Sequence, residues 1–201
     1  MAGSVFGSAQ SNDMINQARG DQYRFVSLLL ARAPSAELLA GVGQLTGDDT
    51  PFGQAITTLA RHARETNADA LEREFFELFV GVGRGELLPY ASFYQTGFLN
   101  ERPLAEVRED LARLGVARAE GRYEPEDHIA LLFEVMADLT VGALDAEGGA
   151  DAAFFHRHIA PWAAQFFDDL EVAPSARFYR AVADVGRLLV AIETRAFALA
   201  A

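Results

Sequence analysis

Residues 123–139 read YEPEDHIALLFEVMADL, an acidic turn followed by a long apolar segment. Pro125 suits the first position of a helix, because its fixed φ is already helical and a helix does not use the N–H group that proline lacks. Glu126 and Asp127 would then lie in the first turn, where carboxylates complement the positive end of the helix dipole. The pattern therefore predicts a helix that starts at Pro125.

Helical winding at about 100° per residue gives this segment two faces. Asp127, Glu134 and Asp138 fall within roughly 40° of one another and form the face expected to meet water. The opposite face collects the large apolar side chains Ile129, Leu132, Phe133, Met136 and Leu139. His128 lies at the edge between the faces, and its simplest interpretation is a hydrogen-bonded packing residue.

The rest of the chain also shows helical periodicity, and no stretch alternates as a half-buried strand would. Capping residues or helix-start prolines precede the apolar patterns: Ser35, Thr50-Pro51, Asn67 or Asp69, Pro103 and Pro174. A further pattern begins near Asp13, and another runs from Asp151 to Leu170. We predict an all-α, single-domain bundle of about eight helices over residues 13–200, with a flexible N-terminus at residues 1–12.

The composition excludes several classes of function. The chain of 201 residues has no cysteine, and all 17 basic residues are arginine, so disulfides, thiolate catalysis and lysine chemistry are absent. A net charge of −12 disfavours nucleic acid and anionic lipid as partners and favours basic peptides. No window approaches the ~20 apolar residues of a membrane span, and the first residues lack a secretory pattern. We expect a cytoplasmic protein without stable membrane insertion.

The chain offers no convincing metal, phosphate or catalytic motif. His62, His128, His156 and His158 do not have the spacing of metal ligands, and the glycines at 81–85 follow a helix rather than a strand. Asp127 and His128 as an acid–base pair would diverge on a helix, since neighbours at i and i+1 point apart. We therefore predict no catalytic residues, no metal and no cofactor.

One long irregular stretch, residues 81–94, reads GVGRGELLPYASFY and is rich in aromatic residues at its end. The aromatic residues in and before it are Phe75, Phe76, Phe79, Tyr90, Phe93 and Tyr94. Such residues beside an acidic helix end would form an apolar groove with negative rims. That groove would suit a basic, hydrophobic peptide, of which a signal peptide is one example.

Three motifs, in this order, resemble the TorD/DmsD/NarJ family of cytoplasmic chaperones for molybdenum-cofactor redox enzymes. They are LFVG at 78–81 leading to PYASFY at 89–94, EPEDH at 124–128, and the weaker HIAPW at 158–162. The resemblance implies an all-α fold and a non-enzymatic role. It also implies a partner, the catalytic subunit of a molybdenum oxidoreductase, bound through its twin-arginine signal peptide and held until cofactor insertion is complete.

The resemblance further implies which residues bind this client: Pro89, Tyr90, Tyr94, Glu124, Pro125, Asp127 and His128. The carboxylates would pair with arginines of the peptide through charge-assisted hydrogen bonds. Pro89, Tyr90, Phe79 and Trp162 would meet the apolar part of the peptide. His128 would either fix the loop against the helix start or contact the peptide directly.

Two alternatives stay open at this point: an all-α enzyme or cofactor-binding protein that uses Asp127 and His128, and a helical adaptor without a redox client. The oligomeric state is equally open between monomer and homodimer. The preferred hypothesis requires the Pro89 loop and the acidic helix end to meet along one furrow.

Overall fold

The computed structural model describes residues 3–118 and 124–200, with side chains for residues 12–118 and 124–199. Within these ranges the chain forms ten α-helices and no β-strand, so the predicted all-α fold is confirmed. The helices are α1 (Gly3–Ala31), α2 (Ala36–Val42), α3 (Pro51–Glu65), α4 (Ala68–Phe75), α5 (Ala91–Thr96), α6 (Arg102–Arg113), α7 (Ile129–Thr140), α8 (Ala150–Phe154), α9 (Ala163–Val172) and α10 (Phe178–Ala200). Two π-helical turns, Phe76–Val80 and Phe155–Ile159, continue α4 and α8.

Three helix starts follow the capping residues seen in the sequence. The side chains of Ser35, Thr50 and Asn67 each accept a hydrogen bond from a backbone N–H in the first turn, at 3.2, 3.1 and 3.0 Å. These bonds satisfy donors that a helix leaves without partners. Of the two candidates for α4, the cap is therefore Asn67.

The central helix of the bundle is α7, and α1 packs along it most extensively. The rings of Tyr23 in α1 and Phe133 in α7 pack edge to face, with centroids 5.1 Å apart. At Gly20 a Cβ atom would lie 2.5 Å from the side chain of Val141, directly after α7, and 3.1 Å from the carbonyl oxygen of Ala137 in α7, so glycine allows the close approach of the two helices. The buried apolar face predicted for α7 is confirmed for Ile129, Leu132, Phe133 and Met136.

The start of α7 differs from the prediction. The helix begins at Ile129, and residues 125–128 form a turn in which the N–H of His128 donates to the carbonyl of Pro125 at 3.2 Å. Asp127 is completely buried rather than on a wet face. The reason is tertiary, because Asp127 makes contacts with a distant loop that a helical turn would not allow.

The described residues form ten α-helices where the sequence predicts about eight, and two segments account for the difference. The stretch at residues 81–94, predicted to be irregular, contains the start of α5. The single helix predicted from Asp151 to Leu170 is divided at Pro161, because proline lacks the N–H group needed to continue a helix. In addition, α1 extends back to Gly3, well before Asp13. The flexibility of residues 1–12 stays a prediction.

The last helix starts at Phe178 rather than at Pro174. The buried carboxylate of Glu74 accepts hydrogen bonds from the N–H groups of Arg177, Phe178 and Tyr179, at 2.8, 3.3 and 2.8 Å. A carboxylate suits this position because it meets both the unpaired donors and the positive end of the helix dipole. This cap comes from another helix, so the local sequence around Pro174 does not contain it.

None of the helices in the described part of the chain is both long and apolar enough to cross a bilayer. Among residues 12–118 and 124–199, no three histidine, aspartate or glutamate side chains lie together as a metal ion would require.

Candidate functional site

The Pro89 loop and the start of α7 are joined by an antiparallel bridge. Tyr90 and His128 pair directly, the N–H of Ile129 donates to the carbonyl of Pro89 at 2.9 Å, and the N–H of Ala91 donates to the carbonyl of Asp127 at 3.0 Å. We call this element, residues 89–91 with residues 127–129, the bridge. Its existence confirms the predicted meeting of the two motifs.

Asp127 holds the bridge from the inside. Its Oδ2 accepts a hydrogen bond from the N–H of Ser92 at 2.8 Å, in the first turn of α5. Both side chains are 0% exposed, and within the described residues Asp127 Oδ1 and Ser92 Oγ have no hydrogen-bond partner. The direct contact with peptide arginines expected for Asp127 does not fit this complete burial. Its role in this structure is to position the loop.

His128 is the N-cap residue of α7. Its Nδ1 accepts a hydrogen bond from the N–H of Ala130 at 3.1 Å, which leaves the proton of the neutral ring on Nε2. Burial lowers the pKa of His128 to about 4, so the imidazole is neutral near pH 7. The ring therefore fixes the helix start, which was one of the two roles considered for it.

The ring of His128 also supports Tyr90, which meets it edge to face with centroids 5.2 Å apart. The hydroxyl of Tyr90 donates a hydrogen bond to the carboxylate of Glu124. The backbone carbonyl of Glu124 accepts a second one from Arg118 at 2.9 Å. Partial burial raises the pKa of the Glu124 carboxyl, although the residue is exposed on one side. Glu124 is thus an accessible acid held in a defined position.

A cavity of about 570 Å³ opens beside the bridge, and we call it the groove. Its lining is largely apolar, and the charged side chains among the described lining residues are two glutamates and one arginine. It is lined by Leu28, Ala31, Arg32, Phe75, Phe79, Val80, Pro89, Tyr90, Glu124, Pro125, His128, Ala130, Leu131 and Glu134. Six of the nine site residues predicted from the sequence lie here: Phe79, Pro89, Tyr90, Glu124, Pro125 and His128.

The π-helical turn after α4 sets the direction of the groove wall. The extra residue in its ring turns Phe79 toward Phe75 and Tyr179, at centroid distances of 5.0 and 5.4 Å. The chain then reverses at Gly81, whose φ of 63° is left-handed and where a Cβ would lie 2.1 Å from the carbonyl oxygen of Arg84. Only glycine fits there. After this reversal the loop runs back along the π-helical turn, where the N–H of Leu87 donates to the carbonyl of Leu78 at 2.8 Å. This path brings Pro89 to the bridge.

Two of the predicted binding residues, Tyr94 and Trp162, do not line the groove. Tyr94 stacks on Trp162 with centroids 5.3 Å apart, and its hydroxyl donates to Asp169 at 3.0 Å. Trp162 is 2% exposed, and its indole N–H donates to the carbonyl of His158 at 2.7 Å. We call Tyr94, Trp162 and Phe166 the aromatic cluster. It supports the fold from within.

The groove also contains residues that the sequence motifs did not reveal. Leu28 and Ala31 at the end of α1, and Arg32 directly after it, also line the groove. Leu28 is 47% exposed although its neighbour Leu29 is wholly buried. An exposed leucine next to the core side of a helix is a weak signal, and only the packing of α1 on α7 places it at the groove.

Three comparisons with known proteins agree with this architecture. A profile of the nitrate reductase delta subunit family matches residues 45–168. The chain is similar to the chaperone protein TorD of Photobacterium profundum, with 30% identity over 191 residues that cover 83% of this chain and 88% of that one. It is also similar to TorD of Vibrio cholerae, with 28% identity over 179 residues, 78% of this chain and 81% of that one.

A solved structure from Archaeoglobus fulgidus, described as a redox enzyme maturation protein, shares the fold. The TM-score is 0.59 at 18% identity, and the match covers 86% of this chain and 93% of that one. At this identity the likeness concerns the arrangement of helices, and it agrees with the all-α bundle described above.

Proposed function

Because this chain belongs to the nitrate reductase delta subunit family, the TorD/NarJ family of redox-enzyme maturation chaperones, we propose that it binds the catalytic subunit of a molybdenum oxidoreductase during maturation. The relatives reported above are named chaperones, which agrees with the prediction that the chain is not an enzyme. The finer part of the proposal concerns the groove. It would receive the twin-arginine signal peptide of the client in the cytoplasm, before export or assembly.

The observation that carries the proposal is the combination of an apolar cavity with a fixed, exposed carboxylate. Phe75, Phe79 and Pro89 offer apolar surface for the hydrophobic segment of a signal peptide. Glu124, held by Tyr90, offers an acceptor for a guanidinium group at the rim. A chain with a net charge of −12 would also attract such a basic peptide over longer distances.

The alternative of an enzyme that uses Asp127 and His128 gains no support from their geometry. Asp127 is buried beneath the bridge, where a substrate would not reach its carboxylate. The Nδ1 atom of His128 is occupied by the N–H of Ala130, and the low pKa makes the ring a poor base near pH 7. His128 instead lines the groove, and Asp127 lies buried beneath the bridge.

The experiment is a binding titration of a fluorescent synthetic peptide that carries two adjacent arginines and a following apolar segment. Ala31 is exposed and lines the groove, so Ala31→Trp would fill it without disturbing the core. We expect this variant to weaken binding by about 10-fold or more, which corresponds to the loss of one buried leucine-sized contact.

The matched control is Ala18→Trp, at an exposed position on the same helix that does not line the groove. It should bind the peptide as the unchanged protein does. Equal affinity of the Ala31→Trp and Ala18→Trp proteins would show that the groove is not the binding site.

A further inference from the structure

The arginines of α1 and of its C-terminal end have different surroundings. Arg19 donates to the carboxylate of Glu193 at 2.6 Å, and Arg24 donates to that of Asp138 at 2.7 Å. These two arginines tie α1 to other helices. Among the residues that the structure describes, Arg32 has no hydrogen bond or ion pair, and its exposed side chain lines the groove. The contacts of the fold therefore account for Arg19 and Arg24 but not for Arg32.

The end of α1 explains why a positive charge is tolerated at Arg32. The residue directly follows Ala31, the last residue of the helix, where the negative end of the helix dipole favours a cation by about 0.3–1 kcal/mol. This weak attraction leaves the N–H donors of the guanidinium free for a ligand. A carboxylate suits them best, because a planar guanidinium can donate two parallel hydrogen bonds to it.

The groove presents opposite charges to a ligand at separate places. Its charged lining residues are Arg32, Glu124 and Glu134, and Glu134 already has an interaction of its own. Glu124 accepts a hydrogen bond from the hydroxyl of Tyr90 and stays exposed on one side. No ion pair joins the described side chains of Arg32 and Glu124. A ligand can therefore meet a positive group in the groove as well as a negative one.

The groove is small enough for one short segment to reach both groups. Treated as a sphere, a cavity of about 570 Å³ is about 10 Å across, and an extended chain covers that distance in about three residues. The rest of the lining is largely apolar, so apolar side chains suit the space between the charged groups. An arginine of the peptide placed against Arg32 would meet a like charge, which lowers affinity.

We propose that Arg32 sets the direction of the bound client peptide by pairing with a carboxylate of that peptide. The carboxylate belongs to a residue about three to five positions after the arginines that meet Glu124. The proposal rests on the proposed function and adds an acidic residue to the description of the ligand, which becomes basic, apolar and acidic in that order. A peptide bound in the opposite direction would place its arginines against Arg32 and be rejected.

The test uses fluorescent synthetic peptides with both ends blocked, so that no terminal charge takes part. Each has two adjacent arginines followed by leucines, and the third, fourth or fifth residue after the arginines is glutamate, glutamine or lysine. The protein variants are Arg32→Gln and Arg32→Glu, at an exposed position where neither change disturbs the core. The matched control is Arg195→Gln, which makes the same change of charge at an exposed position of α10 that does not line the groove.

We expect the unchanged protein to bind the glutamate peptide about 3-fold more tightly than the glutamine peptide at one or more of these positions, as an exposed ion pair would allow. Arg32→Gln should abolish this preference, and Arg32→Glu should reverse it in favour of the lysine peptide. Arg195→Gln should keep the preference for glutamate.

Two results would overturn the pairing with Arg32. One is the absence of a glutamate preference in the unchanged protein at all of the tested positions. The other is the same preference in the unchanged and Arg32→Gln proteins. The proposed function is tested separately with the glutamine peptide, which has no carboxylate to offer. If Ala31→Trp does not weaken the binding of that peptide, the groove is not the binding site.

Discussion

The groove and the aromatic cluster contain the same chemical pair in two different environments. In the groove the hydroxyl of Tyr90 donates to Glu124, and in the cluster the hydroxyl of Tyr94 donates to Asp169. The two tyrosines lie four residues apart, and the sequence suggests one role for both. In the structure Tyr94 is covered by Trp162, whereas Tyr90 rests on His128 and opens into the cavity.

The difference shows which property makes such a pair a recognition element. Burial and the neighbouring carboxylate of Asp169 raise the pKa of Tyr94, and its half-buried ring packs against the core residues Trp162 and Phe166. The carboxylate of Glu124 stays exposed on one side, so it can accept a further hydrogen bond from a ligand. Residue type alone does not distinguish the exposed tyrosine–acid pair from the packed one, because the difference depends on which side chains pack against each tyrosine ring.

The substitution expected to have the largest effect is Trp162→Ala, which tests whether the aromatic cluster contributes to stability rather than to binding. Removal of a buried indole that packs on Tyr94 and Phe166 should lower the free energy of unfolding by about 3–5 kcal/mol, measured by urea denaturation. The folded fraction should still bind the arginine peptide with unchanged affinity. Trp162→Phe is the control and should lose less stability. Weaker binding by a fully folded Trp162→Phe protein would place the cluster at the binding site.

The second prediction concerns the pH dependence of stability at the groove wall. The pKa of His128 is about 4 in the folded protein and near 6.5 in an unfolded chain, so acid favours the unfolded state. The contribution of neutral His128 to the free energy of unfolding is complete above pH 6.5. It is lost as the pH falls toward 4, which lowers the free energy of unfolding by up to about 3 kcal/mol. Denaturation curves between pH 7 and pH 4 measure it.

His128→Asn is the matched variant, because asparagine is also a good N-cap residue. Its stability should fall less steeply over the same pH range. His158, whose pKa is also lowered by burial, is present in both proteins and cancels in the difference. Parallel curves for the two proteins would show that His128 is not a buried neutral cap.

The third prediction concerns Asp127, the fully buried acid of the EPEDH motif. Asp127→Ala would leave the buried N–H of Ser92 without its acceptor and should cost about 2 kcal/mol. The bridge should loosen, which faster hydrogen exchange of the Ala91 and Ile129 amides would show. Asp127→Asn keeps an oxygen acceptor and should retain most of the peptide affinity. A loss of affinity in Asp127→Asn at unchanged stability would instead support direct pairing of Asp127 with a peptide arginine.

Much of the fold could be predicted from the sequence because its signals are local. The caps Ser35, Thr50 and Asn67 act within one helical turn, and the apolar stripe of α7 follows from its period. The proximity of the Pro89 loop to the EPEDH turn could be predicted only through the family resemblance, since nothing local to either motif indicates the other.

The parts that were missed depend on contacts between distant segments. Glu74 caps α10 from more than 100 residues away, and the bridge moves the start of α7 from Pro125 to Ile129. Burial of Asp127 likewise follows from its bond to Ser92, 35 residues earlier in the chain. Local patterns predict the type of an element, but they do not predict which side chains another element will cover.

The smallest predicted effect belongs to Glu124→Gln. Burial raises the pKa of the Glu124 carboxyl, because the folded protein favours the protonated form. Above that pKa the ionised carboxylate therefore lowers the free energy of unfolding slightly. Glutamine removes this cost and keeps an acceptor for Tyr90, so stability at pH 7 should not fall. Affinity for the arginine peptide should fall about 3-fold to 5-fold, as expected for a partly exposed ion pair.

The control for this substitution is Glu109→Gln, which makes the same change of charge at an exposed position of α6 that does not line the groove. It should change the affinity little. High salt should reduce the affinity of the unchanged protein toward that of Glu124→Gln, because screening weakens the same interaction. If both variants bind alike, the attraction comes from the overall charge of the protein, and the fixed position of Glu124 beside Tyr90 has no part in recognition.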